Sequence, residues 1–169
     1  QYIAPVLAKF MSKHRDTTLR LYGPDSRPEG IPDWWTVETM GWTKKPYDYL
    51  KSLNGSVGIA PLQPDSEFNR SKAGVKALEY MARGILPLCQ DYDQYTSIAP
   101  RDINLYSPIL FAAAIDQWVD NLSYAYSNHQ GEWGRRRRIS GREVASEHTI
   151  ERHAHAWADV YEKGLANVR

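Results

Sequence analysis

The feature that most limits how this 169-residue chain can fold is a repeated switch in its apolar period between that of a helix and that of a strand. Ile3 to Lys13 sets Ile3, Val6, Leu7, Phe10 and Met11 at helical spacing. "TTLRLYG", Thr17 to Gly23, alternates like a strand and stops at Gly-Pro, and a turn-rich loop with Pro24, Pro28, Gly30 and Pro32 follows. "WTVETMGW" predicts a second strand. "KPYDYLKSLN", Lys45 to Asn54, predicts a short helix opened by Pro46, with Tyr47, Leu50 and Leu53 on one face. "SVGIAPL", Ser56 to Leu62, predicts a third strand, apolar nearly throughout, as a strand buried on both faces would be. "AGVKALEYMA" predicts a helix with Val75, Leu78, Tyr80 and Met81 as its apolar positions and Gly84 as its stop. "ILPLCQ" predicts a fourth strand, weakened by Pro87, and "INLYS" a fifth. From Pro108 to about Ser127 the pattern predicts one long helix, and the remainder to Arg169 is predicted mostly helical, with Thr149 as a cap.

This alternation implies the α/β class: a Rossmann-like, doubly wound open parallel sheet with helices on both faces, joined by right-handed crossovers. Leu19, Leu21, Val57, Ile59, Leu86 and Leu88 are expected on its central strands. The length suits one domain over residues 1–169, with a helical extension from about 108 to 169. A net charge of +1 gives no global attraction to nucleic acid or anionic membrane, so any electrostatic function is local. A single cysteine, Cys89, excludes an internal disulfide and suits a reducing compartment, so a cytoplasmic location is expected. No apolar run approaches the ~20 residues of a membrane span. Because the chain begins at Gln1 rather than Met, a piece of a longer protein is expected. The six Trp and eleven Tyr are expected to fill the core and half-buried surfaces.

In such sheets, ligands bind beyond the carboxyl ends of the strands, near helix N-termini. The segment "SEFNRSKAGVKALEYMARGILPLCQDYDQY", Ser66 to Tyr95, lies at that edge. Asn69, Ser71 and Lys72 lead into a helix whose first turns hold Gly74, Val75, Lys76 and Glu79. A helix N-terminus offers unpaired N–H groups and roughly half a positive charge, which suits a phosphate. Two lysines are unfavourable at that end unless an anion sits between them. Gly74 would let a ligand approach the backbone, and Glu79 could accept from two vicinal hydroxyls, as carboxylates do with ribose. A nucleoside diphosphate matches this arrangement. The competing reading is a solvated helix face on which Lys76 and Glu79 form an i, i+3 pair worth a few tenths of a kcal/mol, and spacing alone leaves the two balanced. Neither Gly-x-Gly-x-x-Gly nor Gly-x-x-x-x-Gly-Lys-Ser/Thr is present, so no dinucleotide or ATP-hydrolysing loop is indicated.

The same segment resembles the donor-binding region of bacterial and phage glycosyltransferases of family 4, which have the GT-B architecture. The resemblance rests on Pro61-Leu62 after the strand, Phe68-Asn69 with Lys72, Lys76-Ala77-Leu78-Glu79-Tyr80, and Ala82 with Gly84. "LRLYGP" and "VETMGW" look like the family's preceding strands, and "HTIERHAHAWADVY" is similar to its closing helix. The resemblance implies one half of a GT-B enzyme, the C-terminal domain that binds the nucleotide sugar. The implied activity is transfer of a hexose from a UDP- or GDP-type donor to an acceptor hydroxyl, completed by an N-terminal acceptor domain and needing no further cofactor or metal. It implies that Glu79 binds ribose and that amides near Gly74 meet the diphosphate; Met40, Gly41 and Trp42 become candidates for the base pocket. The family's pattern of two glutamates is departed from: the first position falls on Ser71, and Glu67 comes four residues too early, which touches sugar recognition. Relatives are typically retaining, but no residue here decides stereochemistry, and the sugar, base and acceptor stay open. The alternative is a non-catalytic nucleotide-binding module that keeps the fold.

Other segments carry less. The run Arg135 to Arg138, with Arg142 behind it, could form a phosphate-backbone or anionic-lipid patch, but near-zero net charge favours a solvated face, and no nucleic-acid partner is expected. His153 and His155 fall on different faces of a helix and make a poor metal pair, and Cys89 reads as buried and inert.

Overall fold

Helix and strand alternate along the chain in the order the periodicity implies. The computed structural model describes residues 3–23, 31–63, 66–99 and 107–166, with the backbone alone at 157 and 160–166. Helix α1 (Ala4–Lys13) opens with Pro at its first turn and buries Val6, Leu7, Phe10 and Met11, the face its spacing predicts. Strand β1 (Thr18–Tyr22), strand β2 (Thr36–Met40) and helix α2 (Pro46–Ser52) follow. Strand β3 (Val57–Ala60) leads to α3 (Glu67–Arg70), a single helical turn, and then to α4 (Val75–Ala82). Helix α4 ends in a double hydrogen bond, Ile85 N to Tyr80 O and Gly84 N to Met81 O at 2.9 Å each. Gly84 there adopts φ 67°, the left-handed conformation that makes glycine the natural stop. Strand β4 (Leu86–Gln90), the short α5 (Asp93–Thr96), strand β5 (Leu110–Ala112) and helices α6 (Ile115–Asn128), α7 (Glu132–Glu147) and α8 (Ile150–Ala166) complete the order. Thr149 directly precedes α8.

All strand pairing among the described residues is parallel. β1 pairs β2 from Thr18↔Thr36, and β4 lies between β3 (Val57↔Leu86) and β5 (Leu88↔Leu110). Side chains alternate strictly across the β3-β4-β5 sheet. Ile59, Leu86, Leu88, Leu110 and Ala112 join one core with Leu19 and Leu21 of β1, the buried face of α1, and Trp118, Val119 and Leu122 of α6. Ala60, Cys89 and Phe111 point the other way, into a second core with Ala77 and Met81 of α4, Tyr95 of α5 and Val144 of α7. Helices therefore cover both faces. All six residues expected on central strands lie on parallel strands and in the first core.

Four expectations need correction. In place of one continuous sheet, β1-β2 and β3-β4-β5 are separate hydrogen-bonded sheets. Side chains rather than a backbone ladder tie β1 to the segment before β3: Tyr22 Oη donates to Ser52 O at 2.8 Å, and Arg20 Nη1 to Asn54 O at 3.2 Å. The helix expected from Pro108 starts only at Ile115, because Leu110–Ala112 is drawn into the sheet beside β4. Gln117 Oε1 then accepts from Ala113 N at 2.7 Å and Ala114 N at 3.2 Å, organising the start of α6. The lead-in to α4, where the sequence pattern predicts no helix, contains α3, and Ser66 caps its turn by accepting from Asn69 N at 3.3 Å. Pro87 does not weaken β4, whose five residues are all buried. Leu86 N donates to Ser56 O, and Asp91 N to Ala112 O, so alternate residues of β4 turn to β3 and to β5. Pro87 belongs to the second set, one position before pairing with β5 begins, so the donor it lacks meets no ladder partner among the described residues. The predicted strand "INLYS" and the loop around Pro24 and Pro28 lie almost wholly outside the described residues.

Candidate functional site

A cleft of about 880 Å³ opens at the carboxyl ends of β1, β2 and β3, where α2 and α4 approach them. Its floor is apolar, from Leu7, Leu19, Leu21 and Ile59, and its walls carry Tyr22, Trp42, Tyr49 and Tyr80. Its charged lining among the described residues is cationic: Arg20, Lys44 and Lys76, with no carboxylate. Arg20 is paired with Glu38 by a bond of 2.7 Å, whereas Lys44 has no protein partner among the described residues.

Of the residues singled out from sequence, Gly41, Trp42 and Lys76 line this cleft. Trp42 is 80% exposed and lies over Gly23, where a Cβ would sit 3.5 Å from the indole. Gly23 holds φ 135°, a conformation that favours glycine, so the backbone turn at the end of β1 is what calls for glycine there. Met40 closes β2 beside them and is exposed.

Lys76 and Glu79 form a compact cluster with Tyr49 of α2, a residue that sequence reasoning missed. Lys76 Nζ donates to Glu79 Oε2 and to Tyr49 Oη, each at 2.8 Å, and Tyr49 Oη donates to the same Oε2 at 3.2 Å. The ammonium also lies over the Tyr49 ring, 4.5 Å from its centroid. The Glu79 side chain is 19% exposed. Burial works to lower the Lys76 pKa, but the bonds to Glu79 and Tyr49 outweigh it and leave the pKa raised, so Lys76 is a cation at neutral pH. Burial raises the Tyr49 pKa, which keeps its hydroxyl a neutral donor. Tyr80 packs behind the cluster, its ring lying where a Cβ on Gly58 would be and its hydroxyl donating to Ile59 O at 3.2 Å.

The other expected site residues are engaged locally. Asn69 is buried, with Nδ2 on Gln63 O at 3.2 Å and its carbonyl accepting from Gln94 Nε2 at 3.0 Å. Ser71 Oγ folds back onto Glu67 O at 2.9 Å, and Lys72 Nζ lies over the exposed Phe68 ring, 4.8 Å from its centroid. Gly74 N-caps α4 with no side-chain cap bond, and Val75 beside it is exposed. A Cβ on Gly74 would meet Gln94 O at 2.5 Å and the Ile98 side chain, so close packing of α4 on the α5 segment already accounts for glycine there. The signals for Tyr49 and Lys44 were present in "TKKPYDY", directly after the second strand, but the partners of Tyr49 lie 27 and 30 residues away in sequence.

The arginine run is divided among structural tasks. Arg135 and Arg136 grip Glu132, with bonds of 2.7 and 2.6 Å. Arg137 is buried, bonds Ser107 O and lies 4.6 Å over the Trp133 ring. Arg138 donates to His129 O at 2.6 Å, capping the end of α6. Cys89 is buried, and burial pushes its thiol pKa up. Among the described residues no three His, Cys, Asp or Glu side chains are placed to hold a metal ion, and no helix is long and apolar enough to cross a membrane. Neither a protein-family model nor a curated protein matches the chain.

Proposed function

We propose that the chain binds a nucleoside-diphosphate sugar of UDP or GDP type, as the cytoplasmic donor-binding half of a GT-B glycosyltransferase. The observation that carries this reading is the cleft at the carboxyl ends of three parallel strands, aromatic-walled and cationic, with a carboxylate one residue behind its wall. The phosphates sit against Lys76 and Lys44, the base against Trp42, and the ribose hydroxyls reach Glu79. The cations stabilise negative charge as it grows on the departing diphosphate. Lys72 and the amides beside Gly74 complete the phosphate cradle once Lys72 leaves the Phe68 ring. The likeness of Phe68 to Gly84 to the family's donor segment supports the same reading, and the acceptor hydroxyl comes from a second domain.

One observation favours a non-catalytic relative: Ser71, at the position where family members carry a sugar-contacting Glu, spends its hydroxyl on Glu67 O. Calorimetric titration with UDP, GDP, ADP and their sugars tests both. Nucleotide binding that gains nothing from the sugar supports the binding module, and no binding by any of the six refutes the nucleotide reading. Glu79→Ala is expected to weaken binding by about 1–3 kcal/mol, the scale of hydrogen bonds to a charged group.

A further inference from the structure

We propose that Tyr49 is the positioning residue that holds Glu79 ready to accept sugar hydroxyls while Lys76 turns to phosphate; this rests on the nucleotide reading above. The geometry is asymmetric. Both Lys76 Nζ and Tyr49 Oη converge on Oε2 of Glu79, and Oε1 has no partner among the described residues. One oxygen is thus clamped and the other is presented. Lys76 lines the cleft and is half exposed, so an anion there competes with Glu79 for its ammonium. If Lys76 were the sole clamp, phosphate binding would release the carboxylate at the moment it is needed. Tyr49 lines the same cleft, but its hydroxyl is neutral and draws an anion far less strongly than an ammonium does. Its ring is fixed edge-on against Tyr22, centroids 5.9 Å apart at 86°, and its hydroxyl is a neutral donor. It keeps Oε2 occupied when Lys76 leaves, so Oε1 stays aimed and the carboxylate cannot rotate freely.

The test compares UDP, GDP and ADP with their 2′,3′-dideoxy analogues and with inorganic pyrophosphate, by calorimetry on the full chain. In the wild type, removing both hydroxyls is expected to weaken binding about 10-fold or more. Tyr49→Phe keeps the ring against Tyr22 and should shrink that penalty to about 2-fold, with pyrophosphate affinity held within about 2-fold. Lys76→Met should do the reverse, lowering pyrophosphate affinity about 10-fold while the hydroxyl penalty persists. A full penalty surviving in Tyr49→Phe, or loss of pyrophosphate binding together with it, overturns the role of Tyr49 and leaves the nucleotide reading standing. Failure of the wild type to bind any of the nucleotides, or to distinguish the dideoxy forms, overturns the ribose assignment of Glu79 and the role of Tyr49 with it.

Discussion

A methyl group at position 74 would press on the Gln94 carbonyl oxygen, a backbone atom with little freedom to move. Gly74→Ala is therefore expected to cost about 1–3 kcal/mol of stability with no ligand present, read from chemical denaturation. A neutral substitution would mean that α4 does not pack as closely on the α5 segment as described. Glu132 supplies a second test. Its hydrogen bonds to Arg135 and then Arg136 hold its pKa down at about 2, from an ordinary 4.5. A depressed carboxyl contributes stability that is present above 4.5 and is lost as pH falls toward about 2. An NMR titration of the Glu132 carboxyl should show a midpoint well below 4.5; an ordinary midpoint would dissolve the pair. At this scale the sequence was legible where partners are near in the chain, as for Lys76 with Glu79. It was not for Tyr49, whose bond to Glu79 depends on where α2 is laid across the sheet edge. Asn69 and Ser71 look like site residues in a string of letters, yet local hydrogen bonds account for them, which short polar side chains make readily before a helix.

The arginine run shows what an element adds to its residues. Successive side chains on α7 project about 100° apart, so the four cannot all share one face or one task. Among the described residues only Arg135 and Arg136 of the run meet on one partner, Glu132. Arg135→Ala is expected to leave stability nearly unchanged, since exposed ion pairs generally contribute little. Arg138→Ala should cost about 1 kcal/mol through the lost cap at the end of α6. Arg137→Ala should cost most, about 2–3 kcal/mol, because stem packing on Trp133 and the bond to Ser107 O go together. Denaturation curves for the three variants check the order; equal effects would return the run to a single exposed patch. Element type was readable for α1, β1, β3 and α4, where the period is sustained, and failed at Pro108 to Ala112. There a short apolar run fits either a buried strand or a helix, and only its neighbour β4 decides.

Taken whole, the molecule is layered about β4, with one core on each face of it. Amide hydrogen exchange should accordingly be slowest at Leu88 and Cys89, which are flanked by strands and covered above and below. Fast exchange at these two amides would contradict the layering. The alternation of elements announced this plan, but the division into two sheets was not readable, since it turns on side chains of β1 reaching backbone carbonyls before β3. Parallel pairing has one more effect, on how the chain arrives at this state. Among the described residues no strand meets its neighbour through a tight hairpin: β3 reaches β4 only after α3 and α4, and β4 reaches β5 only after α5. Each pairing must close a long stretch of chain before any ladder bond offsets the lost entropy. Refolding in stopped flow is therefore expected on the scale of milliseconds or slower, not the microseconds open to helical bundles. During that interval the edges of β4 are bare, and the chain is at its most vulnerable to joining a neighbour instead of itself.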